Sequence, residues 1–200
     1  MPMQLLSGKF DLSMKKDGIT EMSDEELVRG CVAKNRQAQK VLYDKYCRKM
    51  MGICMRYAGC HAEAQDMLQE GLIKVYEKIN TFGFHGSLEG WIKRIVVNTS
   101  LDHLRRNKNL LNQVEIETQE QTLHYSSEVI ESFSAKDLMK IIQKLPTGYR
   151  TVFNLFAIEG YNHREIAEML NITESTSKSQ FSRARSHLQQ MVLEERVLEP

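Results

Sequence analysis

Proline is scarce in this chain, three in 200 residues. Met and Leu are plentiful and the apolar spacing is mostly 3.6, so an all-α protein is expected. No apolar run is long enough to span a bilayer, and the N-terminus has no signal-peptide layout. Both absences argue against membrane insertion and for a cytoplasmic protein. Cysteine is limited to Cys31, Cys47, Cys54 and Cys60, with no Cys-x-x-Cys pair. Cys54, Cys60 and His61 stand at no standard zinc spacing, so buried, reduced thiols and no metal are expected. There is no Gly-rich phosphate loop, no Gly-x-Ser-x-Gly elbow and no His-Glu-x-x-His pair. Nothing nominates a catalytic residue or a cofactor. Net charge is also lacking: 27 Lys and Arg against 26 Asp and Glu leave +1. Any basic surface must therefore be local and offset elsewhere.

What is present is a series of helix signals. Ser23 with Glu26 makes a capping box for a short helix ending near Ala33. Asn35 caps a long helix from Arg36 to about Tyr57, which Gly59 and Cys60 break. A third helix is expected over about Ala62–Ile79, and a fourth, capped by Ser87, over about Leu88–Asn107. From 109 to 133 five glutamates occur with no Lys or Arg, and the periodicity lapses. That stretch reads as a flexible acidic linker, and its charge offsets the basic helices on either side. Ser134 with Asp137 restarts helix, Pro146 and Thr147 begin the next, and Gly160 ends it. The expected organisation is a flexible leader (1–22), a first helical domain (23–108), the linker (109–133), a second helical domain (134–193) and a tail (194–200).

Asn162 to His187 reads as two helices joined by a tight turn. Asn162 and Glu165 form a capping box, Asn171 suits a left-handed stop, and Thr173 caps the second helix. Projected at 100° per residue, Ser177, Phe181, Ala184 and Leu188 make the inward stripe. Ser175, Thr176, Ser179, Ser182 and Arg183 lie opposite, flanked by Lys178 and Arg185. Hydroxyls bond base edges or phosphates, Arg reads guanine bidentately, and flanking cations sit over phosphates. The plainer reading is an amphipathic hairpin with a solvated polar face.

Three further features cluster in the first domain. Asp66, Gln69 and Glu70 stand at i, i+3 and i+4 and share a patch, which by spacing alone reads as a solvated acidic face. Asn80 to Gly86 is a short loop with two Gly and two Phe residues. Its aromatics either stack on unpaired bases or tuck into the core. The helix after it carries Lys93, Arg94, Arg105 and Arg106, the chemistry of single-stranded nucleic-acid binding or of a solubilising surface. Trp91 and Phe82 read as core.

Several runs in order carry a family resemblance: Asp66-Met67-Leu68-Gln69-Glu70; Phe82; Gly86-Ser87; Trp91-Ile92-Lys93-Arg94-Ile95; Asn98; and Leu101 through Arg106. They resemble region 2 of sigma-70 family sigma factors, in particular the small extracytoplasmic-function class. Leu145-Pro146, Tyr149-Arg150, Glu165-Ile166-Ala167, Lys178-Ser179 and Arg183-Ala184-Arg185 resemble region 4 of that class. The resemblance implies a promoter-specificity subunit with no catalytic residues. Asp66, Gln69 and Glu70 would dock on the clamp of the RNA polymerase β′ subunit, and region 4 on the β flap. Asn80, Thr81, Phe84, His85 and Ser87 would capture a flipped base of the −10 element. Lys93, Arg94, Asn98, Arg105 and Arg106 would grip DNA around the opening bubble. Ser175, Thr176, Lys178, Ser179, Ser182, Arg183 and Arg185 would read the −35 element. An anti-sigma factor is a further partner of many members, and no residue here identifies one. Two positions depart from the family pattern: Asn171 stands where Gly is usual in the turn, and Ser177 where Val or Ile is usual. A one-component regulator would share the helix-turn-helix but would need neither the acidic patch nor the basic helix. A nucleic-acid-processing enzyme would need an acid/base or metal cluster, and the sequence suggests none.

Overall fold

The computed structural model describes residues 22–106 and 135–198. Most of the expected leader, the acidic linker and the Ser134 cap lie outside them. Among the described residues the architecture is all-α. The first four helices are α1 (Asp24–Val32), α2 (Arg36–Tyr57), α3 (His61–Lys78) and α4 (Leu88–Arg106), with a 3₁₀ turn at Ile79–Thr81 after α3. Local chemistry starts three of them. The Ser23 hydroxyl accepts from the Glu26 N–H while the Glu26 carboxylate accepts from the Ser23 N–H. Asn35 accepts from the N–H groups of Gln37 and Ala38, and Ser87 from that of Gly90 at 3.1 Å. Apolar faces at helical spacing then close one core. Leu42, Met50, Met67, Ile92, Val96 and Leu104 are each no more than 1% exposed. Gly71 lets α3 approach α4, because a Cβ there would lie 3.1 Å from Val96 Cγ2.

The remaining helices are α5 (Ala135–Lys144), α6 (Thr147–Phe153), α7 (His163–Leu170) and α8 (Glu174–Leu198). Helix α6 runs into a π turn at Asn154–Ile158, closed by the Glu159 N–H on the Asn154 carbonyl at 2.9 Å. Gly160, at φ +82°, ends it. Asn162 and Glu165 form the expected capping box. Asn171 takes φ 55° and ψ 48°, the left-handed stop that Gly would adopt more easily. Thr173 accepts from the Thr176 N–H at 3.0 Å to open α8. Helix α8 continues to Leu198, into the stretch expected as a tail.

The two bundles are docked. Val152, Leu155 and Ile166 from the second belong to the same apolar cluster as the first bundle's core. The thiols differ from expectation in part. Cys31 and Cys54 are buried, and desolvation pushes each thiol up to about 11. Cys47 is half-buried, and Cys60 is exposed because it sits outside the core as the N-cap of α3.

Candidate functional site

The helical period of α3 presents Asp66 and Gln69 to solvent. Glu70 is half-buried and engaged: Arg106 reaches it at 2.5 Å and Lys74 at 3.1 Å. Partial burial pushes the Glu70 carboxyl up, but the hydrogen bonds from Arg106 and Lys74 outweigh it, and the net direction is down. Glu70, Lys74, Asp102, Arg105 and Arg106 line one shallow charged cleft. It joins the residues expected to dock protein to those expected to grip DNA.

The loop between α3 and α4 splits its two aromatics. Phe82 is 7% exposed, with its ring 5.6 Å from that of Trp91. Phe84 is 51% exposed and rests on Phe82 at 5.0 Å. Its φ of 57° lies in a region that a bulky side chain rarely enters. Such strain persists where surrounding structure imposes it, and it gathers at binding sites. Asn80 and His85 are exposed. Two hydroxyls nearby already have local duties: Thr81 donates to the Lys78 carbonyl at 2.7 Å, and Ser87 caps α4.

On α4, Arg94 and Asn98 are exposed and have no polar side-chain partner among the described residues. The other three cations are held. Lys93 pairs with Glu159 at 2.6 Å. Arg105 pairs with Asp102 and donates to the Met169 carbonyl of α7 at 2.6 Å. Arg106 is the Glu70 partner.

Helix α8 buries Ser177 and Ala184 completely, with Phe181 and Leu188 half-buried behind them. Ser177 is tolerated inside because its hydroxyl shares a hydrogen bond with His163 Nδ1 at 3.0 Å. The His163 ring in turn stacks on Phe156 at 4.4 Å. Ser175, Lys178, Ser179, Ser182, Arg183 and Arg185 are exposed on the outer side, and Thr176 is half-exposed. Lys178 pairs with Glu174 at 2.6 Å and Ser179 donates to the Thr176 carbonyl. Arg183 and Arg185 make no ion pair among the described residues.

Sequence reasoning missed the seam between the bundles. Arg150, 5% exposed, donates to the carbonyls of Gln143 and Tyr57, each at 3.0 Å. Desolvation lowers its pKa against the opposing charge of Glu63. Asn154 donates to the Arg56 carbonyl at 2.8 Å, and Gln143 to that of Met55 at 3.2 Å. Helix α2 thus has its last, otherwise unpaired carbonyls satisfied by side chains of the other bundle. Beside them, the Glu159 side chain is 2% exposed and meets Arg56 at 2.5 Å and Lys93 at 2.6 Å. The sequence signal was weak, an Arg and an Asn among the apolar residues between Tyr149 and Ile158. Among the described residues no group of three or more His, Cys, Asp or Glu is placed to hold a metal ion. No described helix is long and apolar enough to cross a membrane.

Comparison with known proteins matches both bundles. The family model for Sigma-70 region 2 matches residues 42–110, and that for Sigma-70, region 4, matches residues 135–188. The chain is 27% identical to the ECF RNA polymerase sigma factor SigM of Mycobacterium tuberculosis over 175 residues, 88% of this chain and 87% of that protein. It is 28% identical to SigW of Bacillus subtilis over 183 residues, 86% of this chain and 98% of that protein. A looser likeness links it to the sigma factor RpoE of Bartonella quintana, solved in complex with the anti-sigma factor NepR. There the identity is 22% and the TM-score 0.48, over 78% of this chain and 96% of that one.

Proposed function

The chain belongs to the extracytoplasmic-function class of sigma-70 family RNA polymerase sigma factors, and from that membership we propose how its surfaces share the work of promoter recognition. As a sigma factor it joins core polymerase and directs transcription initiation at promoters. The first bundle docks the polymerase through Asp66 and Gln69, with Glu70 behind them. The β′ clamp is its target there, and the β flap is the target of the second bundle. The loop at Asn80–Ser87 takes a flipped −10 base, with Phe84 as the stacking wall. Arg94 and Asn98 contact the strand beside it. Arg183 reads the −35 duplex, supported by Ser179 and Ser182, with Lys178 and Arg185 over phosphates. The protein has no reaction of its own and works in the cytoplasm. An anti-sigma factor covering the polymerase-binding surfaces is a regulator suggested by family membership alone.

The observation that supports this division most is the outer face of α8. It is a row of hydroxyls and two cations without ion-pair partners among the described residues, on the second helix of a helix-turn-helix. Transcription from a promoter library by purified core polymerase, with and without the protein, tests it. New start sites are expected. Their absence, together with no binding to core, overturns the reading. Asp66→Ala with Gln69→Ala is the cleaner docking test, because both side chains are exposed whereas Glu70 also holds Arg106. Core affinity should fall with the fold intact, and unchanged affinity removes the docking assignment.

A further inference from the structure

Glu159 occupies a place where an ordinary surface glutamate would not be. Its two carboxylate oxygens each hold a separate cation from the other bundle, Arg56 on Oε1 and Lys93 on Oε2, and its side chain is 2% exposed. The π turn puts it there. One extra residue in the turn rotates the residues beyond it by roughly 100° relative to an α-helix, and the turn's closing hydrogen bond is donated by Glu159 itself. Lys93 belongs to the α4 helix, on which Arg94 and Asn98 face solvent.

We propose that Arg56 and Lys93 form an anion site with two alternating ligands: the Glu159 carboxylate while the bundles are docked, and a backbone phosphate of promoter DNA once they part. The proposal rests on the reading that α4 grips DNA. Three observations support the exchange. Arg56 is only half used, because its Nε is buried without a hydrogen-bond partner among the described residues. A phosphate, with more acceptor oxygens than Glu159 offers it, suits the guanidinium fork better. The seam is also imperfect. The Tyr57 hydroxyl, Arg150 Nε and Asn154 Oδ1 are likewise buried without partners among the described residues. All four unpaired atoms lie where the bundles meet, so docking is opposed as well as favoured.

The third observation is reach. A −10 and a −35 element lie roughly 25 base pairs apart, about 85 Å of B-DNA. In the docked arrangement α4 and α7 touch, through Arg105 and the Met169 carbonyl at 2.6 Å. Bundles of this size have a radius of gyration of about 13 Å or less. One docked molecule cannot span both elements, so promoter engagement requires the Glu159 ion pairs to break. Lys93 and Arg56 are then released next to the DNA-facing side of α4. Glu159 acts as a built-in stand-in for phosphate that keeps the free protein from spending this site on random nucleic acid.

The test uses the full chain, a fluorescein-labelled single-stranded oligonucleotide of about 20 nucleotides as probe, and small-angle scattering. Glu159→Gln should enlarge the radius of gyration and bind the probe about tenfold more tightly at low salt, since the cost of opening is removed. Adding Arg56→Gln and Lys93→Gln should leave the protein expanded but return the affinity to the wild-type level or below. The slope of log affinity against log salt should fall by about 0.7 for each phosphate of the single strand that the variant no longer neutralises. Equal binding by wild type and Glu159→Gln overturns the proposal, and so does a triple variant that binds as tightly as Glu159→Gln. Should Glu159→Gln fail to fold, wild type alone decides: saturating probe should expand it, and a complex that stays compact overturns the exchange. None of these readouts needs polymerase. Failure of the sigma reading itself would show separately, as no initiation by wild type with core enzyme.

Discussion

The amino-terminal bundle keeps its apolar residues together, whereas the carboxy-terminal bundle divides its own. Leu27 through Leu104 in the first form one cluster across α1–α4. In the second, Leu145, Tyr149 and Ala184 make a small separate cluster, while Val152, Leu155 and Ile166 pack against the first bundle. The first therefore holds its shape from within. The second holds the helix-turn-helix partly by leaning on its neighbour, and partly by a polar pair, Ser177 with His163, inside it. On the division of work proposed above, a bundle that takes melted DNA into a shaped loop profits from a rigid core. On the same proposal, a duplex reader needs only one helix face held firmly and can change neighbours if it leaves its docked position.

The widest gap should appear on truncating leucines. Leu104→Ala, at a site 1% exposed in the large cluster, should cost in the upper part of about 2–5 kcal/mol. Leu145→Ala, 3% exposed in the small cluster, should fall at the lower end, because a small cluster relaxes into the space more readily. Urea unfolding of both variants makes the comparison. Equal losses would show that the second bundle's core is as constrained as the first.

Next is the bond between them. Arg150→Met keeps bulk but removes the donors to the Tyr57 and Gln143 carbonyls, and should cost about 1–3 kcal/mol. Hydrogen exchange should rise in α6 and at the end of α2, and stay unchanged in α3. A change spread evenly over all helices would make Arg150 a residue of one common core rather than of a seam.

On the DNA side, Arg183→Ala should lower affinity for the preferred −35 sequence by about 1–3 kcal/mol if the guanidinium reads a base. Competition against a −35 element altered at single positions checks it. A loss that is the same on every sequence would mark a phosphate contact instead.

The sequence showed what is decided within a few residues. Ser23, Asn35, Asn162, Asn171 and Thr173 could be read as caps and stops because each acts on backbone no more than four residues away. The burial of Ser177 and Ala184 followed from the 3.6 period alone. What escaped depends on partners far along the chain. Glu159 is 103 residues from Arg56, and Arg150 is 93 from Tyr57. The link between Glu70 and Arg106 spans 36 residues and joins two surfaces that spacing alone kept apart. The π turn was also hidden, since one extra residue in a turn leaves no mark on a mostly apolar stretch as short as Val152 to Ile158.

The smallest expected effect concerns two carboxylates, one in each bundle. In Glu70 partial burial acts upward and the Arg106 and Lys74 hydrogen bonds prevail, lowering the pKa. In Glu174 the hydrogen bond from Lys178 lowers it on an open surface. A carboxyl held below its usual 4.5 makes the unfolded chain bind more protons on the acid side, so stability rises with pH there. The contribution is present above pH 4.5 and is lost as pH falls through the folded value. For Glu70, whose side chain is 31% exposed, solvent screening leaves under about 1 kcal/mol. Unfolding free energies of wild type and Glu70→Gln should therefore separate slightly at about pH 6 and converge toward about pH 3. Glu174→Gln should track wild type throughout, because water competes freely for both members of its pair. A Glu174 effect as large as that of Glu70 would mean that the start of α8 is more sheltered than its exposure suggests. It would also place part of the second bundle's stability in its surface charges, which the division of its core otherwise leaves to the seam.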